Sequence, residues 1–224
     1  MWPTAGLPLT HAPVGVVVVS LLQVIAFLAL EPADLALHLG SDAPSGWVYV
    51  ATSLFAHLDA AHLTSNVASQ LAVGVVVEGM HGHARFATLY LLTGIGGALL
   101  YRAYYCLWLA PRHFYLLGAS AAVYGLLSAY AAHLYLNWAE MGVFARRAWF
   151  AVALFVACVD VVMYGISPLS GVAYSAHVGG GVYGVCLGVL VLRNVRVLRH
   201  ERRARVAAAA VAFGVLTMSL VSCV

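Results

Sequence analysis

The sequence predicts an all-α polytopic membrane protein with seven spanning helices. Hydrophobic residues occupy 63% of the 224 positions and charged residues 8%, whereas a soluble domain carries about 25% charged residues. The apolar runs are continuous rather than alternating over ten-residue segments, and this favours helices over a membrane β-barrel. Each run is close to the roughly 20 residues that cross the bilayer core.

The chain divides into four segments. A short stretch, 1–12, lacks the basic start and cleavage site of a secretory signal and is expected in the cytosol. Residues 13–192 hold six apolar runs, 193–205 form an Arg-rich link, and 206–224 form a seventh run. The predicted spans are 13–30, 60–77, 86–107, 118–137, 149–166, 174–192 and 206–224.

Arginine sets the predicted topology, because the chain contains no lysine. The link 193–205 holds six arginines, and three more lie between spans two and three or four and five. The positive-inside bias then places the N-terminus in the cytosol and the C-terminus in the lumen or outside the cell. This distribution accounts for the net charge of +3 without a nucleic-acid partner.

Two further local interpretations concern a turn and the cysteines. A short turn between spans two and three is predicted to hold Glu78, Gly79, His81, Gly82 and Arg85. The four cysteines have no metal-ligand spacing and are interpreted as small packing residues rather than a disulfide framework; they are Cys106, Cys158, Cys186 and Cys223.

A serine and a histidine stand at corresponding places in two spans. Ser120 begins the fourth span among small residues, a pattern also common where membrane helices simply pack closely. His177 begins the sixth span and is followed by a run of glycines. Both spans start from the outer side, so we expect the two side chains at similar depth, where they form a nucleophile–base pair.

Three further side chains are expected near this pair. His62 and Asn66 are four residues apart and share a face of the second span, at its outer start. Their N–H groups suit an oxyanion, although bonds to the backbone of the first connection are an equal alternative. Tyr124 follows Ser120 by four residues, where it holds the imidazole or fills space.

Other membrane chemistries fit the sequence less well. A zinc protease needs a His-Glu-x-x-His helix, which His57 and His62 do not provide. An aspartyl protease needs two membrane aspartates, and Asp160 is the single one within a span. A transporter needs a chain of titratable groups, so Asp160 is interpreted as structural.

The sequence resembles the rhomboid family of intramembrane serine proteases over nearly its whole length. The resemblance implies a six-helix bundle plus a C-terminal seventh transmembrane helix. Gln70, the stretch NWAEM at 137–141, Asp160 and the seventh span are most similar to the animal secretase-type branch. The family pattern rests on Trp47, Thr52, Phe55, His57, His62, Leu63, Asn66, Glu78, Gly82, Arg85, the stretch GASAAVYGLL at 118–127, Ala176, His177, Gly180 and Gly184.

The resemblance implies a role for each matching residue. Ser120 is the nucleophile and His177 the general base, without a third acid. Tyr124 stacks on His177, and an oxyanion hole forms from His62, Asn66 and the backbone N–H of Ser120. Glu78 ties the first connection's side of the bundle to neighbouring helices. Gly118 is a structural residue before the serine, and Gly180 and Gly184 let spans four and six approach closely.

Two positions depart from the family pattern. Ala121 stands where the family usually has Gly after the serine, and its methyl is expected to narrow the site or shift an oxyanion donor. Val48 replaces the Arg that often follows the loop tryptophan. The competing class is a non-proteolytic rhomboid-like protein that binds transmembrane clients and controls their trafficking or degradation.

The resemblance also implies the partners. The expected substrates are single-span membrane proteins cut near their lumenal or extracellular end, with growth-factor precursors as one candidate class. The dyad needs no cofactor and no metal. The expected location is the bilayer of the secretory pathway, in the Golgi or at the plasma membrane.

Overall fold

The computed structural model describes residues 9–39, 47–108, 114–164, 173–192 and 201–221, without the side chains of Trp108, Phe114, Asp160, Met163, Tyr164, Glu201, Leu220 and Val221. Within these residues, each of the seven predicted spans coincides with a helix of 16 residues or more, which confirms the all-α polytopic fold class. The helices are α1 (Val14–Ala29), α4 (Ala60–His81), α5 (His83–Trp108), α6 (Ser120–Leu136), α7 (Val143–Tyr164), α8 (Tyr174–Val191) and α9 (Glu201–Val221).

The length and composition needed to cross a membrane are met by three of these helices within the described residues: α4, α5 as far as Leu107, and α8. The helix α1 is apolar but shorter, at 16 residues. The side chain of Asp160, which was interpreted as structural, is not among those described. Most of the Arg-rich link also lies outside the described residues.

The connection between α4 and α5 is tighter than predicted. The predicted turn included Glu78, Gly79 and His81, but α4 continues through His81 and α5 begins at His83. Gly82 alone breaks the helix, with a φ of 87°, a conformation that favours glycine. The predicted extent of the turn is therefore wrong, because one glycine suffices to reverse the chain.

Glu78 lies at the end of the bundle opposite the first connection, which corrects its predicted place. Its fully buried carboxylate accepts hydrogen bonds from the backbone N–H groups of Gly15 at 2.6 Å and Val16 at 2.8 Å. His83 Nδ1 lies 2.5 Å from the same carboxylate. A carboxylate at the start of a helix satisfies unpaired N–H groups and the helix dipole, so Glu78 anchors α1.

A buried polar network joins α1 to α4 and α5 within the bundle. The side-chain amide of Gln23 donates to the Tyr90 hydroxyl at 2.7 Å, and that of Gln70 donates to Gln23 at 2.7 Å and to Ser20 at 2.7 Å. Gln23, Gln70 and Tyr90 are fully buried. Such bonds hold membrane helices together where water is absent.

The first connection contains structure that the sequence did not predict. It holds the short helices α2 (Pro32–Leu35) and α3 (Val48–Thr52) and the strand β1 (Leu37–Leu39). This strand pairs antiparallel with β2 (Phe114–Leu116), which directly precedes α6. The pairing ties the first connection to the segment that leads into Ser120.

The helices α6 and α8 pack with their backbones in contact along a row of small residues. A methyl group added to Gly180 would lie 2.0 Å from the carbonyl oxygen of Ala121, and one added to Gly184 would lie 2.2 Å from that of Gly125. One turn further, Gly188 meets Ala129. The close approach predicted for Gly180 and Gly184 is therefore present.

The interpretation of the cysteines is wrong for one of them. Cys106, at the end of α5, is disulfide-bonded. Cys158 and Cys186 are free, and Cys223 lies outside the described residues. Cys106 lies in an apolar stretch of the sequence, which favoured the packing interpretation, but its side chain is exposed.

Candidate active site

Ser120 and His177 meet at the end of the bundle where α4, α6 and α8 all begin (the loop end). Ser120 is the first residue of α6, and His177 lies in the first turn of α8. The Oγ of Ser120 lies 2.8 Å from the Nε2 of His177. This distance allows the hydroxyl to donate its proton to the imidazole, as an activated serine requires.

Tyr124 holds the His177 ring from the side of α6. The two rings are stacked, with centroids 4.5 Å apart and an angle of 20° between their planes. His177 is 9% exposed. A stacked aromatic ring restricts rotation of the imidazole, which is the task of the aspartate in soluble serine proteases.

His62 and Asn66 lie beside Gly118, two residues before the serine. Gly118 has a φ of 110°, and a methyl group added to it would lie 2.6 Å from His62 Nε2 and 3.7 Å from Asn66 Nδ2. A side chain at this position would therefore be strained and would collide with His62. The Gly118 N–H donates to the Ser53 carbonyl at 2.9 Å, which fixes the turn.

The bonds of His62 indicate which ring nitrogen carries its proton. The backbone N–H of Leu58 donates to His62 Nδ1 at 3.4 Å, so Nδ1 is an acceptor and the neutral ring carries its proton on Nε2. That N–H lies on the Gly118 side. Asn66 Nδ2 donates to the His62 carbonyl at 3.0 Å, and the same nitrogen has a second N–H.

His57 supports His62 from the first connection. The two rings meet edge to face, with centroids 5.1 Å apart, and His57 is 1% exposed. Burial, followed by the nearby His62, lowers the pKa of His57 to about 4. His57 therefore stays neutral at physiological pH, so its ring adds no positive charge next to His62.

Ala121 packs its methyl against α5. A methyl group added to Gly97 of α5 would lie 2.7 Å from the Ala121 Cβ, and Ala121 is 5% exposed. Gly97 thus provides the room that the Ala121 methyl occupies. The expectation that this methyl narrows the site is wrong, because it packs between helices.

Sequence reasoning missed some residues that shape the site. The Asp59 side chain accepts from the backbone N–H of His62 at 2.7 Å and caps α4. An aspartate directly before an apolar run is a known start signal that predicts this bond. Gly97 has no comparable local signal, since it acts through Ala121 on another helix.

An apolar groove lies between α4 and α7 near the loop end, on a different face of α4 from His62 and Asn66. Its volume is about 580 Å³. The residues contributed by α4 are small, whereas α7 supplies larger side chains. The lining consists of Ala60, Ala61, Thr64, Ser65, Ala68, Phe155, Cys158, Val159 and Val162.

Within the described residues, no group of three or more His, Cys, Asp or Glu side chains is arranged to bind a metal ion. The chemistry available at the loop end is that of the hydroxyl, the imidazole and the surrounding N–H donors.

Comparisons with known proteins agree with this architecture. The family model described as the rhomboid domain matches residues 44–194. The chain is 32% identical over 159 residues to the human Rhomboid-related protein 3, which covers 66% of this chain and 37% of that protein. It is 33% identical over 156 residues to the Caenorhabditis elegans Rhomboid-related protein 1, covering 66% and 41%.

A third relative is the Rhomboid-type serine protease 2 of Emericella nidulans, 28% identical over 159 residues, with 71% of this chain and 30% of that protein covered. The chain thus spans about a third of the length of these curated relatives.

The fold and the site define a polytopic membrane protein with a serine and a histidine in contact inside a helix bundle. The chain belongs to the rhomboid family of intramembrane serine proteases and their relatives.

Proposed function

We propose that this protein is an intramembrane serine endopeptidase that hydrolyses transmembrane segments near their lumenal or extracellular end. The observation that carries the proposal is the 2.8 Å contact between Ser120 Oγ and His177 Nε2, with His177 stacked on Tyr124. A hydroxyl and an imidazole within hydrogen-bond reach of each other form the arrangement that nucleophilic catalysis requires.

The dyad performs acylation in two proton transfers. The Ser120 oxygen bonds to the carbonyl carbon of the scissile peptide while its proton passes to His177 Nε2. The tetrahedral intermediate then collapses, the carbon–nitrogen bond breaks, and the leaving amine takes the proton from His177. A water molecule, deprotonated by His177, then hydrolyses the acyl-enzyme and restores the serine.

The oxyanion is stabilised by donors around the Gly118 turn. His62 Nε2–H and Asn66 Nδ2–H supply side-chain donors, and the backbone N–H of Ser120, at the first position of α6, adds a third. The Asp59 cap fixes the backbone of His62 at the start of α4, and the Leu58 bond to Nδ1 favours the ring tautomer that donates from Nε2. Donors arranged in advance cost no reorganisation during the reaction.

The groove between α4 and α7 is the proposed path for the substrate helix. Its lining is mostly apolar, and it borders the first half of α4, the helix that carries His62 and Asn66. A transmembrane segment entering from the bilayer keeps its apolar surface covered in such a groove. Near Ser120 the segment must unwind, because a helical carbonyl is already hydrogen-bonded.

The proposed orientation puts the loop end in the lumen or outside the cell, with a cytosolic N-terminus. The arginine distribution supports it. The Cys106 disulfide lies at the loop end, and disulfides persist in oxidising compartments. This supports a secretory-pathway membrane, the Golgi or the plasma membrane. The proposed substrates are single-span membrane proteins such as growth-factor precursors, as the family resemblance implies.

The test is cleavage of a single-span substrate in proteoliposomes by the purified wild type, Ser120→Ala and His177→Ala. The expected result is a product with the wild type and none with either variant. A wild type that is silent while an active rhomboid protease cuts the same substrate would contradict the proposal. Client binding that persists in Ser120→Ala would then favour the non-proteolytic class.

A further inference from the structure

A second tyrosine contacts the proposed general base, and the mechanism above does not use it. Tyr174 is the first residue of α8, and its ring meets the His177 ring edge to face, with centroids 6.1 Å apart and planes at 81°. Residues three apart on a helix lie on one face. The imidazole is thus bracketed by Tyr124 from α6 and Tyr174 from its own helix.

The two tyrosines differ in exposure. Tyr124 is partly buried between the helices, whereas Tyr174 is 45% exposed and His177 is 9% exposed. The Tyr174 ring therefore covers an edge of the imidazole at the rim of the bundle. Stacking on Tyr124 restrains one face of the imidazole but does not by itself prevent the side chain from swinging outward.

We propose that Tyr174 is a second positioning residue for His177: its ring blocks outward rotation of the imidazole and keeps Nε2 directed at Ser120. This inference rests on the proposed function. It concerns the ring and not the hydroxyl, because the contact is edge to face, at a separation within the favourable range for aromatic pairs.

The ring contact predicts which kinetic constant changes. A loosened imidazole is less often aligned with Ser120, so the chemical step slows while substrate binding is unchanged. For Tyr174→Ala we expect kcat to fall about three- to tenfold, in keeping with the energy of one aromatic contact, with KM within about twofold of the wild type. Tyr174→Phe retains the ring and is expected to match the wild type.

The experiment measures kcat and KM for a single-span substrate in proteoliposomes, the rate of Ser120 labelling by a fluorophosphonate probe, and thermal unfolding. The matched control is Tyr135→Ala, which removes an 81% exposed tyrosine at the opposite end of α6. We expect slower labelling in Tyr174→Ala alone, with unfolding temperatures unchanged in all variants because Tyr174 is largely at the surface.

Three results would overturn the inference while leaving the proposed function intact: wild-type kcat in Tyr174→Ala, a loss in Tyr174→Phe as large as in Tyr174→Ala, or a change confined to KM. The second would assign the effect to the hydroxyl and the third to substrate contact. A wild type that neither cleaves nor labels would overturn the proposed function and this inference together.

Discussion

The contact between α6 and α8 and the contact between α4 and α7 differ in how tightly the helices pack. Between α6 and α8, glycines bring the backbones so close that a methyl on Gly180 would lie 2.0 Å from a carbonyl oxygen. Between α4 and α7, small residues leave a groove of about 580 Å³. Small side chains therefore have two outcomes: between α6 and α8 they bring the helices that carry the dyad close together, and between α4 and α7 they leave space.

The largest effect is expected from breaking the tight contact. Gly180→Ala places a methyl against the Ala121 backbone and moves α8 away from α6, which lengthens the distance between Ser120 and His177. A displacement near 1 Å costs about a hundredfold in rate, so substrate cleavage should fall by about that factor.

The control for this substitution is the neighbouring glycine. A methyl on Gly181 would meet the Ser128 hydroxyl at 3.3 Å and nothing closer, so Gly181→Ala should retain nearly full cleavage. Equal losses in the two variants would show that the position of the methyl is irrelevant, contrary to the close contact described here.

The next effect is a dependence of the folding stability on pH. It comes from His57, which lies just before α4, the helix that borders the groove. The folded protein binds a proton on His57 only near pH 4, whereas the unfolded chain binds it near 6.5. Between these values the unfolded state holds more protons, so acidification favours unfolding, by roughly 3 kcal/mol at the acid limit.

Thermal unfolding in detergent at about pH 7.5 and about pH 5 tests this linkage. His57→Gln should lose less stability on acidification than the wild type, and His11→Gln, at an exposed position, should lose as much as the wild type. The same acid sensitivity in wild type and His57→Gln would exclude His57 as the source.

A smaller effect on cleavage is expected at Gly97, where α5 packs against both α6 and α8. Gly97→Ala adds a methyl 2.7 Å from the Ala121 Cβ and 2.6 Å from the Ala176 carbonyl oxygen. We expect cleavage to fall about tenfold, since overpacking in a filled contact is destabilising.

The double variant Gly97→Ala, Ala121→Gly removes one of these two collisions and should recover part of the lost cleavage. Ala121→Gly alone should change cleavage by less than about threefold, in keeping with the loss of one methyl. Absence of any recovery in the double variant would show that Gly97 and Ala121 do not interact.

The smallest effect is expected in the groove. Ala68→Leu narrows it, so a substrate helix should bind less tightly and KM should rise about two- to fivefold with kcat unchanged. The control, Ala151→Leu, adds the same side chain at an exposed position of α7 outside the groove. A fall in kcat, or equal effects of both variants, would argue against substrate entry by this route.

The sequence was sufficient to predict the seven long helices and the residues that meet at the loop end. Long apolar runs specify helices by their length, and arginines specify which ends lie on one side. Two spans that start from the same side bring Ser120 and His177 to one depth whatever the details of packing. The four-residue spacing of His62 and Asn66 fixes their shared face in the same way.

Only the tertiary structure decided how those elements are joined. The bonds of Glu78 to the start of α1, the pairing of β1 with β2, and the room for the Ala121 methyl at Gly97 all connect residues more than 20 positions apart. No local pattern encodes such contacts, because each depends on the positions of two elements at once. The apolar periodicity of a helix specifies that it is buried, but the partner that covers each methyl or carboxylate is selected by packing.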